Sequence, residues 1–213
     1  MRSRAAIHPT GGRGLEGRCP TADQIHPVLA KALLRRLSVA VASLALIAGI
    51  PETLLAQATD EARVKAAFLF NFAKFVSWPS QVFKNPSDSF RICVLGPSVV
   101  GPALADLAHD KMVDGRPLIV STVSESTAAM SCQILFVAAT STQKARLLLG
   151  ELQSRSVLTV GESAGFAAHV GIINFKVEDG RVRFEINPKA AEQAHLQISS
   201  RLLSLAQIVT GSR

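Results

Sequence analysis

The segment FRICVLG, residues 90–96, is a mostly apolar run that ends at a glycine and sets the pattern for the chain. It predicts a strand, and the apolar spacing of residues 98–109 predicts a helix directly after it. The alternation continues, with a helix at residues 142–154 and strands at residues 118–123, 132–138 and 157–160. This order indicates an α/β fold, in which a mostly parallel sheet is flanked by helices on both faces.

An antiparallel hairpin is predicted near the C-terminus. The pair Asp179-Gly180 lies between two β-type runs, residues 172–178 and 181–186. This dipeptide favours a two-residue type I′ turn, which joins antiparallel strands.

Helix-capping residues follow the hairpin. Asn187, with a proline after it, predicts a helix that runs towards residue 195. Ser199 or Ser200 is placed to open a last helix through residue 209. A single domain over residues 59–213 accommodates these elements, and 155 residues are enough for one hydrophobic core.

The first 58 residues are typical of a non-folded leader. Lys31, Arg35 and Arg36 precede the apolar run at residues 37–50, and Ala-Gln-Ala at residues 56–58 offers small residues for cleavage. This pattern predicts a secretory signal peptide over about residues 28–58, and hence a secreted protein. The alternative is an N-terminal anchor that is not cleaved.

The net charge of +7 is unevenly distributed along the 213 residues. Residues 1–58 carry seven Lys or Arg against three acids, whereas residues 59–213 carry sixteen against thirteen. The basic residues of the domain are interspersed with acids and form no stripe, so no nucleic-acid partner is predicted.

Cys93 and Cys132 are the two cysteines that remain once Cys19 is removed with the leader. An even number of cysteines in a secreted domain predicts one disulfide, with its strands adjacent in the sheet. Two separate buried thiols are the alternative. The histidines lie at no ligand spacing from either cysteine, so no metal site is predicted.

Residues 60–78 contain no Gly or Pro and predict a helix that ends before Pro79. One apolar stripe includes Phe68, Phe72 and Phe75, with Asn71 among them and therefore expected to be hydrogen-bonded. The opposite face is apolar too, which predicts that something covers each side.

The second face of this helix is the predicted surface for a partner or a second subunit. Leu69, Phe70 and Ala73 lie on this face, and the candidate contact residues are Leu69, Phe70, Ala73, Lys74 and Trp78. Small residues beside large ones allow another helix to approach closely. The competing explanation is that the last helix of the same chain, at residues 199–209, covers this face.

Two glycine motifs each match part of a known functional motif, but neither is complete. Residues 161–165 read GESAG, but the helix and the oxyanion loop of a hydrolase elbow are missing, and residues 96–101 lack the lysine of a phosphate-binding loop. The strand ends at Gly96, Ser98, Gly161 and Glu162 are a possible small-ligand site. No catalytic set or cofactor is predicted, so the protein is interpreted as a non-enzyme.

Several segments together resemble the YfiR-like family. They read VKAAFLFNFAKFVSWP at residues 64–79, ICVLG at 92–96, CQILFV at 132–137, VLTV at 157–160, FEIN at 184–187 and ISSRLL at 198–203. The opening helix and the two closing segments are specific in combination, and they contain Asn71, Asn187, Ser199 and Ser200. Some relatives have a second cysteine pair after the residue 157 strand, and this chain has none.

The resemblance implies a periplasmic protein that binds an inner-membrane diguanylate cyclase and holds it inactive. In the best-known members an outer-membrane lipoprotein releases this inhibition, which couples envelope stress to cyclic di-GMP and biofilm formation. A homodimer is also expected. The alternative function is a periplasmic small-ligand-binding protein that serves a membrane sensor kinase.

Overall fold

The fold is a large, mostly parallel sheet with helices on both faces, as the alternating pattern predicts. The structure is a computed structural model and describes residues 52–124, 126–138 and 142–211. Residues 52–211 with these gaps belong to one compact unit. Most of the predicted signal peptide lies outside the described residues, so that assignment stays a prediction.

The strands follow the chain in ten short segments. They are β1 Val76–Ser77, β2 Phe90–Leu95, β3 Met112–Val113, β4 Arg116–Val123, β5 Ile134–Val137, β6 Leu158–Gly161, β7 Ile173–Glu178, β8 Arg181–Ile186, β9 Gln197–Ile198 and β10 Gln207–Ile208.

The helices connect these strands. They are α1 Glu52–Phe75, α2 Val100–Ala108, α3 Ser126–Ala129, α4 Thr142–Leu152, α5 Phe166–His169, α6 Pro188–Gln193 and α7 Ser200–Leu203, with a 3-10 turn at Ser80–Val82.

The large sheet has the order β10-β8-β7-β6-β5-β2-β4-β3. Its centre is parallel, because β2 pairs in parallel with β4 and β5, and β6 pairs in parallel with β5 and β7. The chain passes from β2 through α2 to β4 and then returns past β2 to β5. A separate antiparallel sheet joins β1 to β9.

The predicted hairpin is confirmed, with β7 and β8 antiparallel. Asp179 has φ 50° and Gly180 has φ 70°, the left-handed values that a type I′ turn requires at both central positions. Asn187 caps α6 as predicted, because its side-chain oxygen accepts the Ala190 N–H at 3.1 Å.

The last helix is shorter than predicted. Ser199 caps α7 and accepts the Leu202 N–H at 3.3 Å, but the helix ends at Leu203. The chain then forms β10, which pairs in parallel with β8 and is the edge strand at that end of the sheet. Strand pairing with β8 therefore replaces the helix expected through residue 209.

The first helix also differs from its predicted limits, since α1 begins at Glu52 and ends at Phe75. Its last residue offers its carbonyl to the Ser199 N–H at 2.9 Å, and β1 continues as a strand beside β9. A residue before proline is biased away from helical geometry, so Pro79 disfavours helix at Trp78, which lies outside α1.

Burial around α1 corrects the predicted faces. Leu69 and Ala73 are fully buried and Ala66 nearly so, and α1 packs closely on α2 of the same chain. The row expected to contact a partner is thus covered within the chain, and α1 as a whole packs more extensively on α2 than on the last helix. Asn71, expected inside a buried stripe, is exposed.

The disulfide between Cys93 and Cys132 is present, with Cα atoms 6.0 Å apart. Cys93 lies on β2 and Cys132 immediately precedes β5, so the bridge joins adjacent strands as predicted. Both residues are buried in the core layer that α3, α4 and α5 cover. The bridge is therefore shielded from solvent.

We expect neither Cys93 nor Cys132 to react with a maleimide after denaturation without reductant, as read by peptide mass mapping. Replacing both with alanine should lower the free energy of unfolding by about 4 kcal/mol, because the unfolded chain regains the freedom of a 39-residue loop. Labelling of both residues in unreduced protein would contradict the bridge.

Burial of Leu69 yields a stability prediction. Leu69→Ala should lower the free energy of unfolding by about 3 kcal/mol, since the side chain is 0% exposed and its removal leaves a cavity. Val64→Ala on the same helix is the matched control, because Val64 is 43% exposed and should cost less than about 1 kcal/mol. Equal losses in urea titrations would refute this packing.

Candidate functional site

The strand ends named as a possible ligand site do not meet at one point. Gly96 and Ser98 follow β2, whereas Gly161 ends β6 and Glu162 follows it. Strand β5 lies between β2 and β6, which places these ends roughly 10 Å apart. Ser98 has a structural role, because its hydroxyl accepts the Val100 N–H at 3.0 Å where α2 begins.

Gly161 is required by packing. A β-carbon at this position would overlap the ring of Phe166, which is fully buried in the core. The residues after it form a turn and then the single helical turn α5, with Gly165 at φ 73°. The GESAG segment thus lacks the long helix that supports a hydrolase nucleophile.

Glu162 binds a lysine of the same chain. Its carboxylate lies 2.7 Å from the Lys65 ammonium, which also contacts Glu61 at 2.6 Å. Burial lowers the pKa of Lys65, but hydrogen bonds and charge from Glu162 and Glu61 outweigh it, so the pKa is raised above 10.5. This ion pair fastens α1 to the end of β6.

Glu162→Gln should lower the free energy of unfolding by about 2 kcal/mol near neutral pH, because Lys65 loses one of its two counter-charges. Because the pKa of Lys65 is raised on folding, its ion pairs stabilise the fold fully at pH values below 10.5. This stabilisation is lost as the pH rises through the pKa of Lys65 in the folded state. The difference from wild type should therefore shrink in strongly alkaline buffer.

The matched control is Glu178→Gln, which removes a more exposed partner of Lys176 at 2.9 Å. Its effect in the same chemical denaturation series should be clearly smaller than that of Glu162→Gln. A Glu162→Gln variant as stable as this control would show that the Lys65 ion pair does not fasten α1.

The more exposed side of α1 forms a surface that we call the outer face of α1. It consists of Val64, Ala67, Phe70, Asn71 and Lys74, which recur at helical spacing. Phe70 is half-buried and the Lys74 ammonium lies 4.2 Å from its ring centroid. The outer face therefore combines apolar area with one cation on a rigid helix.

Trp78, predicted for the same surface, is anchored instead on the sheet. Its indole N–H donates to the Gln133 carbonyl at 3.2 Å, and its ring meets Phe90 edge-on at 5.0 Å. The side chain remains half-buried, so part of it is accessible beside the 3-10 turn.

Arg116 is an organising residue that sequence reasoning missed. Its guanidinium donates to the carbonyls of Asn85, Pro86 and Asp88 at 2.8 to 3.0 Å and stacks 3.9 Å from the Phe83 ring. Backbone hydrogen bonds, first that of Asn85, lower the pKa of Asp88. In the sequence Arg116 is one of many interspersed basic residues, and nothing near it indicates its role, because its partners lie about 30 residues away.

A comparison with protein-family models finds the YfiR/HmsC-like family over residues 62–207, so the chain belongs to this family. The family is known for periplasmic regulators of signalling, which suggests a regulatory role. No match was found among curated proteins.

Across residues 52–211, with the gaps given above, no helix has both the length and the apolar character needed to cross a bilayer. In the same part of the chain, no three His, Cys, Asp or Glu side chains are grouped to hold a metal ion.

Proposed function

We propose that this protein is a periplasmic regulator that binds a membrane-bound diguanylate cyclase and inhibits it, so that it limits cyclic di-GMP and biofilm formation. The family match over residues 62–207 carries the proposal. The signal peptide predicted over about residues 28–58 supports export. An outer-membrane lipoprotein is the proposed releasing partner.

The outer face of α1 is the surface we assign to the partner. The helix is fixed on its other side by buried Leu69 and Ala73 and by the Lys65 ion pair. A fixed helix loses little conformational freedom on binding, so its contacts convert efficiently into affinity. Phe70 is the aromatic residue at the centre of this surface, the type enriched among residues that dominate binding energy.

Lys74 and Trp78 extend the proposed contact area. Lys74 lies four residues after Phe70 and is exposed, whereas Trp78 follows β1 and is half-buried. The same face serves a homodimer in this proposal, so inhibition and self-association would compete for Phe70. Leu69 and Ala73 contribute by supporting the helix from beneath.

The experiment is affinity capture of tagged protein from detergent-solubilised membranes of the source cells, with mass spectrometry of what is bound. Recovery of a membrane protein that contains a diguanylate cyclase domain is the expected result, together with raised cyclic di-GMP in a deletion strain. Recovery of a sensor kinase instead, with unchanged cyclic di-GMP, would favour the ligand-binding alternative.

Phe70→Glu should abolish capture of the cyclase, because a carboxylate replaces the central apolar contact. The melting temperature should change little, since Phe70 is only partly buried and Lys74 at i+4 can pair with the new charge. Lys111→Glu, an exposed change outside α1, is the control and should leave capture intact. Retained capture by a folded Phe70→Glu protein would remove this surface from the proposal.

A further inference from the structure

A cavity of about 290 Å³ lies among α4, α5 and α6, where β6 and β7 begin. No residue of α1 lines it, and neither do Gly96, Ser98, Gly161 or Glu162. It is thus separate from both the outer face of α1 and the strand ends considered above. Its volume equals that of about ten water molecules in the liquid.

Small side chains leave this space open. Four alanines line the cavity, Ala167 and Ala168 from α5, Ala190 from α6 and Ala194 just after it. Larger residues at these positions would fill the space between the helices, as core side chains normally do. The volume of the cavity therefore depends on the small side chains of α5 and α6.

The walls of the cavity are fixed by hydrogen bonds. The Thr159 hydroxyl accepts the Ile172 N–H at 3.1 Å, which joins β6 to the start of β7. Asn187 donates to the Ala167 carbonyl at 2.9 Å while it caps α6. These bonds connect α5 and α6 through one buried amide, so the cavity is formed in advance of any ligand.

The lining combines apolar and neutral polar side chains with one positive charge, that of Lys189. Leu149, Leu152 and Val157 supply apolar side chains, and Lys189 and His169 lie at the rim. Among the described residues, no Asp or Glu lines the cavity, although Glu151 and Glu192 belong to the same two helices as other lining residues. The composition favours a ligand with an apolar body and a negative charge.

We propose that this cavity binds a small organic acid, with an apolar body of about ten non-hydrogen atoms against the floor and its carboxylate towards Lys189. The inference goes beyond the regulatory function proposed above and does not depend on it, since none of the lining residues belongs to the outer face of α1.

The test uses 4-fluorophenylacetate as the probe and follows its fluorine NMR line width as protein is added. Wild-type protein should broaden the line with saturable binding. Lys189→Glu should weaken binding at least about fivefold, because an attractive charge becomes repulsive. Ala190→Leu should weaken it at least about tenfold by filling the cavity.

Two controls make the result specific. Lys111→Glu changes the same exposed charge away from the cavity and should bind as wild type does. The uncharged probe 4-fluorobenzyl alcohol should bind more weakly than the acid. Circular dichroism confirms that each variant is folded.

The proposal is overturned if the acid fails to bind wild type at about 10 mM. It is also overturned if folded Lys189→Glu and Ala190→Leu proteins both bind as tightly as the Lys111→Glu control. These results involve no membrane partner, so they are independent of whether the cyclase is captured.

Discussion

Aromatic packing between α1 and the C-terminal hairpin holds the two ends of the domain together. The Phe72 ring lies 5.3 Å from that of Phe184 and 5.8 Å from that of Phe175, and Phe68 contacts the same pair. Such ring pairs add to the free energy gained by burying their area. The orientation of α1 depends on this cluster, and therefore so does the orientation of the outer face.

Some strands and one turn could be predicted from the sequence, because a few neighbouring residues determine them. Strand β2 has the predicted limits, Phe90–Leu95, because a buried parallel strand is a continuous apolar run. The turn at Asp179 and Gly180 was likewise encoded by two adjacent residues with left-handed geometry. Neither prediction depends on contacts with residues distant in the sequence.

The errors arose where a distant contact decides the local structure. Strands β1, β9 and β10 have two residues each, too few to show a period, and they exist because each finds a partner strand. The face of α1 was misread because phenylalanines lie on both sides, while buried Ala62 and Ala66 mark the true interior. Helix α2 can approach closely only over such small residues.

Glu162 was recognisable as a polar strand end, but its partner Lys65 is 97 residues away.

The pairing of β1 with β9 has a consequence for when the chain can fold. Val76 lies opposite Ile198, so the end of the first helix acquires its strand partner only when about 120 further residues are available. At roughly 5–20 residues per second, a ribosome needs on the order of ten seconds to supply them. During that interval the phenylalanines of α1 have no hairpin to pack on, so the incompletely folded chain exposes apolar side chains that can aggregate.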